Sequence, residues 1–86
     1  MYEIKLASKR VEKQFNRLPD NVFSRIESAL MNLKRNPRPQ GVKKLKGKKD
    51  AVWRIRVGSY RIKYDIDDDN KQIIILEIGH IRNIYR

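Results

Sequence analysis

Polar and apolar positions alternate with period two through Trp53-Arg54-Ile55-Arg56-Val57, and again through Tyr60-Arg61-Ile62-Lys63-Tyr64, with Gly58-Ser59 between the two arms. Successive side chains of a strand point to opposite faces, so the pattern predicts a hairpin with two unlike sides. Trp53, Ile55, Val57, Tyr60, Ile62 and Tyr64 fall on one side, and Arg54, Arg56, Arg61 and Lys63 on the other. Like charges opposite one another destabilise a strand pair. A cationic sheet face of this kind is best explained by a polyanion that lies on it.

The remaining pattern supplies what the apolar side of the hairpin needs. Residues 2–6 alternate over a short stretch and predict a first strand. Ser8 suits the N-cap of a helix starting at Lys9, along which Val11, Phe15 and Leu18 recur at helical spacing on an otherwise basic surface. Leu18-Pro19-Asp20 ends that helix. Asp20 is the expected cap of a second one, with Val22, Phe23, Ile26, Leu30 and Leu33 along one face. Asn36-Pro37-Arg38-Pro39 stops it, because proline lacks an N–H and restricts the residue before it. The two helices make an αα-hairpin. Residues 40–49 read as a loop or an edge strand, either a solvated basic segment or a phosphate-tracking rim beside the arginines, carrying Lys43, Lys44, Lys46, Lys48 and Lys49. Asp67-Asp68-Asp69-Asn70 is a turn; it lacks the spacing, glycine and closing glutamate of a calcium loop. The run Ile73-Ile74-Ile75-Leu76 predicts a strand covered on both sides and central in its sheet. The expected fold is therefore α+β: one domain over residues 1–86, with two helices packed on one face of a small, mostly antiparallel sheet, in the order β-α-α-β-β-β.

Composition sharpens this picture. In 86 residues, 21 Lys plus Arg oppose 10 Asp plus Glu, a formal net charge of +11. That exceeds the magnitude of about 2–8 that solubility asks of a small domain, and it favours nucleic acid, an anionic membrane surface or an acidic protein as partner. There is no cysteine, which excludes disulfides and thiolate metal sites. With one histidine and no carboxylate cluster beyond a turn, no metal ligand set is expected. No apolar run approaches the roughly 20 residues of a membrane helix. Glu3 and Lys5 interrupt any signal-like apolar region, so a cytoplasmic location is expected.

Leu45-x-Gly47, then Trp53-Arg54-Ile55-Arg56-Val57-Gly58-x-Tyr60-Arg61-Ile62-x-Tyr64, then Gly79-His80-x-Arg82-x-x-Tyr85 resembles the RelE/ParE superfamily of bacterial and archaeal toxins. The resemblance covers the whole chain and is densest from Leu45 onward. It implies a compact α+β fold with this same order of elements. Its RelE branch implies an mRNA endonuclease that acts in the ribosomal A site, docked on mRNA and rRNA. Its ParE branch implies a toxin directed at DNA gyrase without nuclease activity. A plain RNA-binding module, or a toxin that has lost activity, is the third reading. Both branches imply a cognate antitoxin, here an acidic, partly disordered chain able to fold across the cationic face. No cofactor and no membrane partner are implied.

Residue by residue, RelE-like chemistry needs a proton removed from the RNA 2′-hydroxyl, charge stabilised on the phosphate, and the leaving 5′-oxygen protonated. The resemblance places Arg61 in the active site, where a planar guanidinium suits phosphate oxygens; a structural ion pair to Asp65 or Glu77 is the alternative. Arg54 and Arg56 stand where the best-known ribosome-dependent members carry lysines, one of which is thought to be the base. Arginine is effectively never deprotonated, so neither is a general base here. Both can grip phosphate, together with Lys63 and the lysines of residues 40–49. Arg82 belongs to the basic tail, and Ile81 stands where relatives often carry a second arginine. Tyr85 matches a tyrosine that contacts substrate, or packs as an ordinary C-terminal aromatic. His80 alone has an ordinary pKa suited to acid–base work near neutrality. Its other reading is a structural cap at a strand end.

Overall fold

The computed structural model describes residues 1–45 and 52–84. Ser8 caps the first helix as its position predicts: its backbone is extended and its hydroxyl oxygen accepts a hydrogen bond from Val11 N–H at 3.4 Å. The elements are β1 (Glu3–Leu6), α1 (Lys9–Asn16), α2 (Asp20–Arg35), β2 (Lys43–Leu45), β3 (Val52–Val57), β4 (Tyr60–Asp67), β5 (Gln72–His80) and α3 (Ile81–Ile84). The expected two-layer α+β arrangement is present, with two additions. Part of residues 40–49 forms the edge strand β2, and the short helix α3 follows β5. Asp20 lies in the first turn of α2 rather than capping it; Pro19 is the N-cap residue, and no side chain bonds the exposed N–H groups there.

The sheet order is β1-β5-β4-β3-β2. Only β1 runs parallel to its neighbour, β5; the other pairs are antiparallel. Two helices stand between β1 and the rest of the sheet, which provides the long crossover that a parallel connection requires. Strand β5 is internal but β4 is the middle strand. Nor is β5 covered equally on both sides: Ile73, Ile75 and Ile78 are buried, while Ile74 and Leu76 are only half-buried.

One core joins the layers. Val11, Ile26, Leu30 and Leu33 from the helices pack with Ile62, Tyr64, Ile73, Ile75 and Ile78 from the sheet, and Trp53, Ile55, Val57 and Tyr60 border them. These are the apolar positions of the hairpin, so α1 and α2 cover the side opposite the arginines. Phe15 and Phe23 lock the helices together, ring centres 4.7 Å apart. Tyr64 is fully buried, and its hydroxyl donates to the Pro37 carbonyl at 2.7 Å. Burial pushes its pKa up to about 12. That bond pins the segment after α2 to the sheet. A second tie lies at the surface: Arg38 pairs with Asp68 at 2.9 Å, and the Tyr2 hydroxyl donates to the same carboxylate at 2.6 Å. The Arg38 guanidinium also lies 5.2 Å from the Trp53 ring centre.

An irregularity in β5 resets which of its side chains face the helices. Tyr64 pairs with Ile75, but Lys63 pairs with Glu77, so Leu76 is an extra residue on β5. The bulge inverts the alternation beyond it. Ile78 and His80 take the core side, whereas Glu77 and Gly79 come opposite Lys63 and Arg61. The Ile78 N–H, past the end of the β1–β5 pairing, donates to the Gln14 side-chain oxygen at 3.0 Å.

Candidate nucleic-acid interface

The polar positions of β2, β3 and β4 come together as their alternation requires. Lys43 lies opposite Arg54, Arg54 opposite Lys63, and Arg56 opposite Arg61. A concavity of about 180 Å³ opens among Gly41, Lys43, Arg54, Arg56 and Arg61. Among the described residues, four cations line it. Gly41 holds φ at +89°, where a side chain would strain the chain, and the glycine lets the backbone turn into β2 beside the cations.

The arginines are held before any ligand arrives. Arg54 and Arg61 are half-buried, and the Arg61 Nε is shielded from solvent. Arg56 is more exposed, but its Nε donates to the Gly58 carbonyl at 2.8 Å, which fixes the guanidinium at the hairpin end. The turn there is tight: Gly58 has φ +61°, and a Cβ on it would lie 2.8 Å from an Arg25 guanidinium nitrogen. Pre-oriented guanidiniums lose little freedom when they grip a phosphate, so more of the contact energy becomes affinity.

The other sequence candidates divide. Lys63 shares the arginine side, but its ammonium lies 3.5 Å from Glu77, whose other oxygen pairs with Arg10 at 3.1 Å. Asp65 accepts from the Ile66 N–H. Lys44 lies opposite Trp53 in β2 and its ammonium stands 5.6 Å from that ring's centre, so it is on the apolar side, away from the arginines. Arg82 is exposed in α3. Lys46, Lys48, Lys49 and Tyr85 lie outside the described residues.

The structure does not bring His80 to the arginine concavity. The bulge turns it to the opposite side of the sheet, where it meets Tyr60 edge-on at 5.3 Å. Its Nδ1 accepts the Arg82 N–H at 3.2 Å, capping α3, so the neutral ring carries its proton on Nε2. Sequence reasoning missed the residues around it. Arg10, Gln14 and Arg17 recur at i, i+4 and i+7 and form a polar stripe on α1 facing Tyr60 and His80; that spacing was the available signal. Among the described residues no group of three or more His, Asp or Glu is placed to hold a metal, and no helix is long and apolar enough to cross a membrane.

A two-helix layer thus covers one side of a five-stranded sheet, and the arginines gather on the other. Residues 4–85 match the family described as the ParE toxin of type II toxin-antitoxin system, parDE, and the chain belongs to that family within the RelE/ParE superfamily. It is a RelE-like toxin of a type II toxin–antitoxin system. It is 35% identical over 81 residues to the putative toxin RelE1 of Methanocaldococcus jannaschii, covering 91% of this chain and 89% of that protein. Toxin RelG of Mycobacterium tuberculosis is 32% identical over 75 residues, covering 86% and 85%. The archaeal RelE–RelB complex from Pyrococcus horikoshii superposes with a TM-score of 0.79 at 31% identity, over 92% of this chain and 93% of that one. The isolated E. coli RelE toxin gives 0.80 at 22% identity, over 93% and 84%, a likeness of fold.

Proposed function

We propose that this chain is an endoribonuclease that cuts mRNA on the ribosome and so arrests translation. The observation that carries this reading is the convergence of Lys43, Arg54, Arg56 and Arg61 on one concavity. RNA brings its own nucleophile. Attack of the 2′-oxygen on the adjacent phosphorus breaks the bond to the 5′-oxygen and leaves a 2′,3′-cyclic phosphate and a 5′-hydroxyl. The Arg61 guanidinium holds the scissile phosphate and stabilises the charge that builds on its equatorial oxygens, while Arg54 and Arg56 grip the flanking phosphates. None of them exchanges a proton at neutral pH. The weak acid–base equipment of the concavity fits an enzyme that relies on the ribosome to align its substrate in line. Arg82, exposed in α3, adds a further cation for the bound strand.

The partner that restrains it is an acidic antitoxin whose carboxylates cover the same cations. Relatives crystallised as RelE–RelB complexes support this. The test is induced expression followed by primer extension on a translated message. The native chain should give new 5′ ends in that message, and Arg61→Ala should abolish them and the growth arrest while the protein stays folded. A soluble Arg61→Ala protein with unchanged toxicity would refute the assignment. The second reading is a gyrase-directed toxin, favoured by the ParE description of the matching family; DNA strand breaks without mRNA cleavage would select it.

A further inference from the structure

A cavity larger than the arginine concavity lies on the other side of the sheet. It measures about 460 Å³ and sits between α1 and the C-terminal end of β5. That is within the roughly 300–1,000 Å³ of small-molecule sites, whereas the arginine concavity is smaller than this range. We propose that this cavity binds one nucleotide of single-stranded RNA, its base against Tyr60 and His80 and its phosphate against Arg10 and Arg17.

The donor inventory carries the inference. Gln14 spends its side-chain oxygen on the Ile78 N–H, so what it offers a ligand is its N–H₂ group. His80 spends Nδ1 on the Arg82 N–H, so what it offers is Nε2–H. Arg10 and Arg17 are pure donors. Among the described residues the only carboxylate in the wall is Glu77, occupied on both oxygens by Arg10 and Lys63. No carboxylate among the described residues pairs with Arg17. The wall therefore presents donors and positive charge and asks for a ligand of acceptors and negative charge. The aromatic pair narrows the choice. Tyr60 and His80 meet at an interplanar angle of 79°, an L-shaped corner that accommodates a flat ring against one face and in contact with the other. A phosphate joined to a base satisfies both halves of the wall; inorganic phosphate satisfies one.

The position gives the site a use. Tyr60 pairs with His80 and Arg61 with Gly79, so the two sites are one residue apart along β4, on opposite faces of the same sheet end. A single strand held at the arginines can round that end and place a neighbouring nucleotide in the cavity, fixing which phosphodiester lies over Arg61. This use rests on the proposed RNA cleavage; the nucleotide site itself does not.

The test is an amide NMR titration of the full ¹⁵N-labelled chain carrying Arg61→Ala, with adenosine 5′-monophosphate and with inorganic phosphate, followed by a non-cleavable RNA hexanucleotide. The expected result is saturable shifts at Ile78, Gly79 and the Gln14 side chain with the monophosphate. Affinity should fall about tenfold in Arg17→Glu, the loss of one charge-assisted contact, and Arg17→Lys should recover part of it. Arg17 is exposed, so both variants keep the fold and the dispersed spectrum shows it. Equal binding of inorganic phosphate would overturn the nucleotide assignment. So would shifts confined to Lys43, Arg54 and Arg56 with the hexanucleotide, an outcome that leaves the RNA reading standing. Shifts at neither site would overturn both.

Discussion

The salt dependence of RNA binding depends on the side chains that line the concavity. Lys43, Arg54, Arg56 and Arg61 set a floor of four phosphate contacts. Each contact on a single strand releases counterions with a slope of about 0.7 in log–log form, so the expected slope is about −2.8. Between 50 and 200 mM salt this predicts an affinity loss of about 50-fold. The perturbation is Arg56→Ala, whose guanidinium is exposed and bonded to the Gly58 carbonyl. It should weaken binding at low salt and flatten the slope to about −2.1. The assay is fluorescence anisotropy of a labelled RNA whose 2′-oxygens are methylated to prevent cleavage, across a salt series. A native slope shallower than about −1, or an Arg56→Ala slope equal to the native one, would show that these cations do not meet phosphates together.

Tyr64→Phe removes a buried donor and strands the buried Pro37 carbonyl; urea denaturation should show a loss of about 1–3 kcal/mol, and a loss under half a unit would mean that the segment after α2 is held elsewhere. Because burial holds the Tyr64 proton to about 12, the unfolded chain ionises first above about pH 10. Native stability should therefore be full below pH 10 and decline above it, more steeply than in Tyr64→Phe. Gly58→Ala combines a positive φ with a Cβ 2.8 Å from the Arg25 guanidinium and should cost about 1–2 kcal/mol in the same assay. Adding Arg25→Ala should recover only the steric part, so full recovery would remove the backbone argument. Asp68 is held below the ordinary carboxylate range by its hydrogen bonds to Arg38 and Tyr2. Its contribution is present above the unfolded value of about 3.9 and is lost as pH falls through the lower folded value. Acid unfolding below pH 4 should thus be less steep in Asp68→Asn, and an identical profile would show that the tie does not survive in solution.

Much of the site was legible because the information was local. The alternation through Trp53–Tyr64 needs only that the two arms be strands joined at Gly58-Ser59, and the structure pairs them as Arg54 with Lys63 and Arg56 with Arg61. Ser8, the proline brake after α2 and the helix stripes are likewise read from neighbours within a turn. Asp20 shows the limit even of local signals: proline already holds the preceding backbone extended, so the chain enters the helix one residue earlier and the aspartate becomes part of the first turn. Lys44 illustrates a different limit. Five lysines in a basic segment look equivalent until β2 pairs with β3, and the register then sends Lys44 to the Trp53 side and Lys43 to the arginines.

The chain by itself determined a cationic sheet face, an apolar face for two helices, and the arginines that converge. Side-chain parity along a strand is a property of the strand alone. Only the tertiary structure decided on which face His80 would lie, because that depends on one extra residue, Leu76, slipping between the partners of Lys63 and Tyr64. A bulge forms when two strands and the helix beside them must be satisfied at once. Here the Ile78 N–H bonds Gln14 of α1, and the same shift sets His80 and Tyr60 against the polar stripe of α1. No period in a single segment encodes that choice; it is made by the competition between sheet register and the packing of α1 against β5.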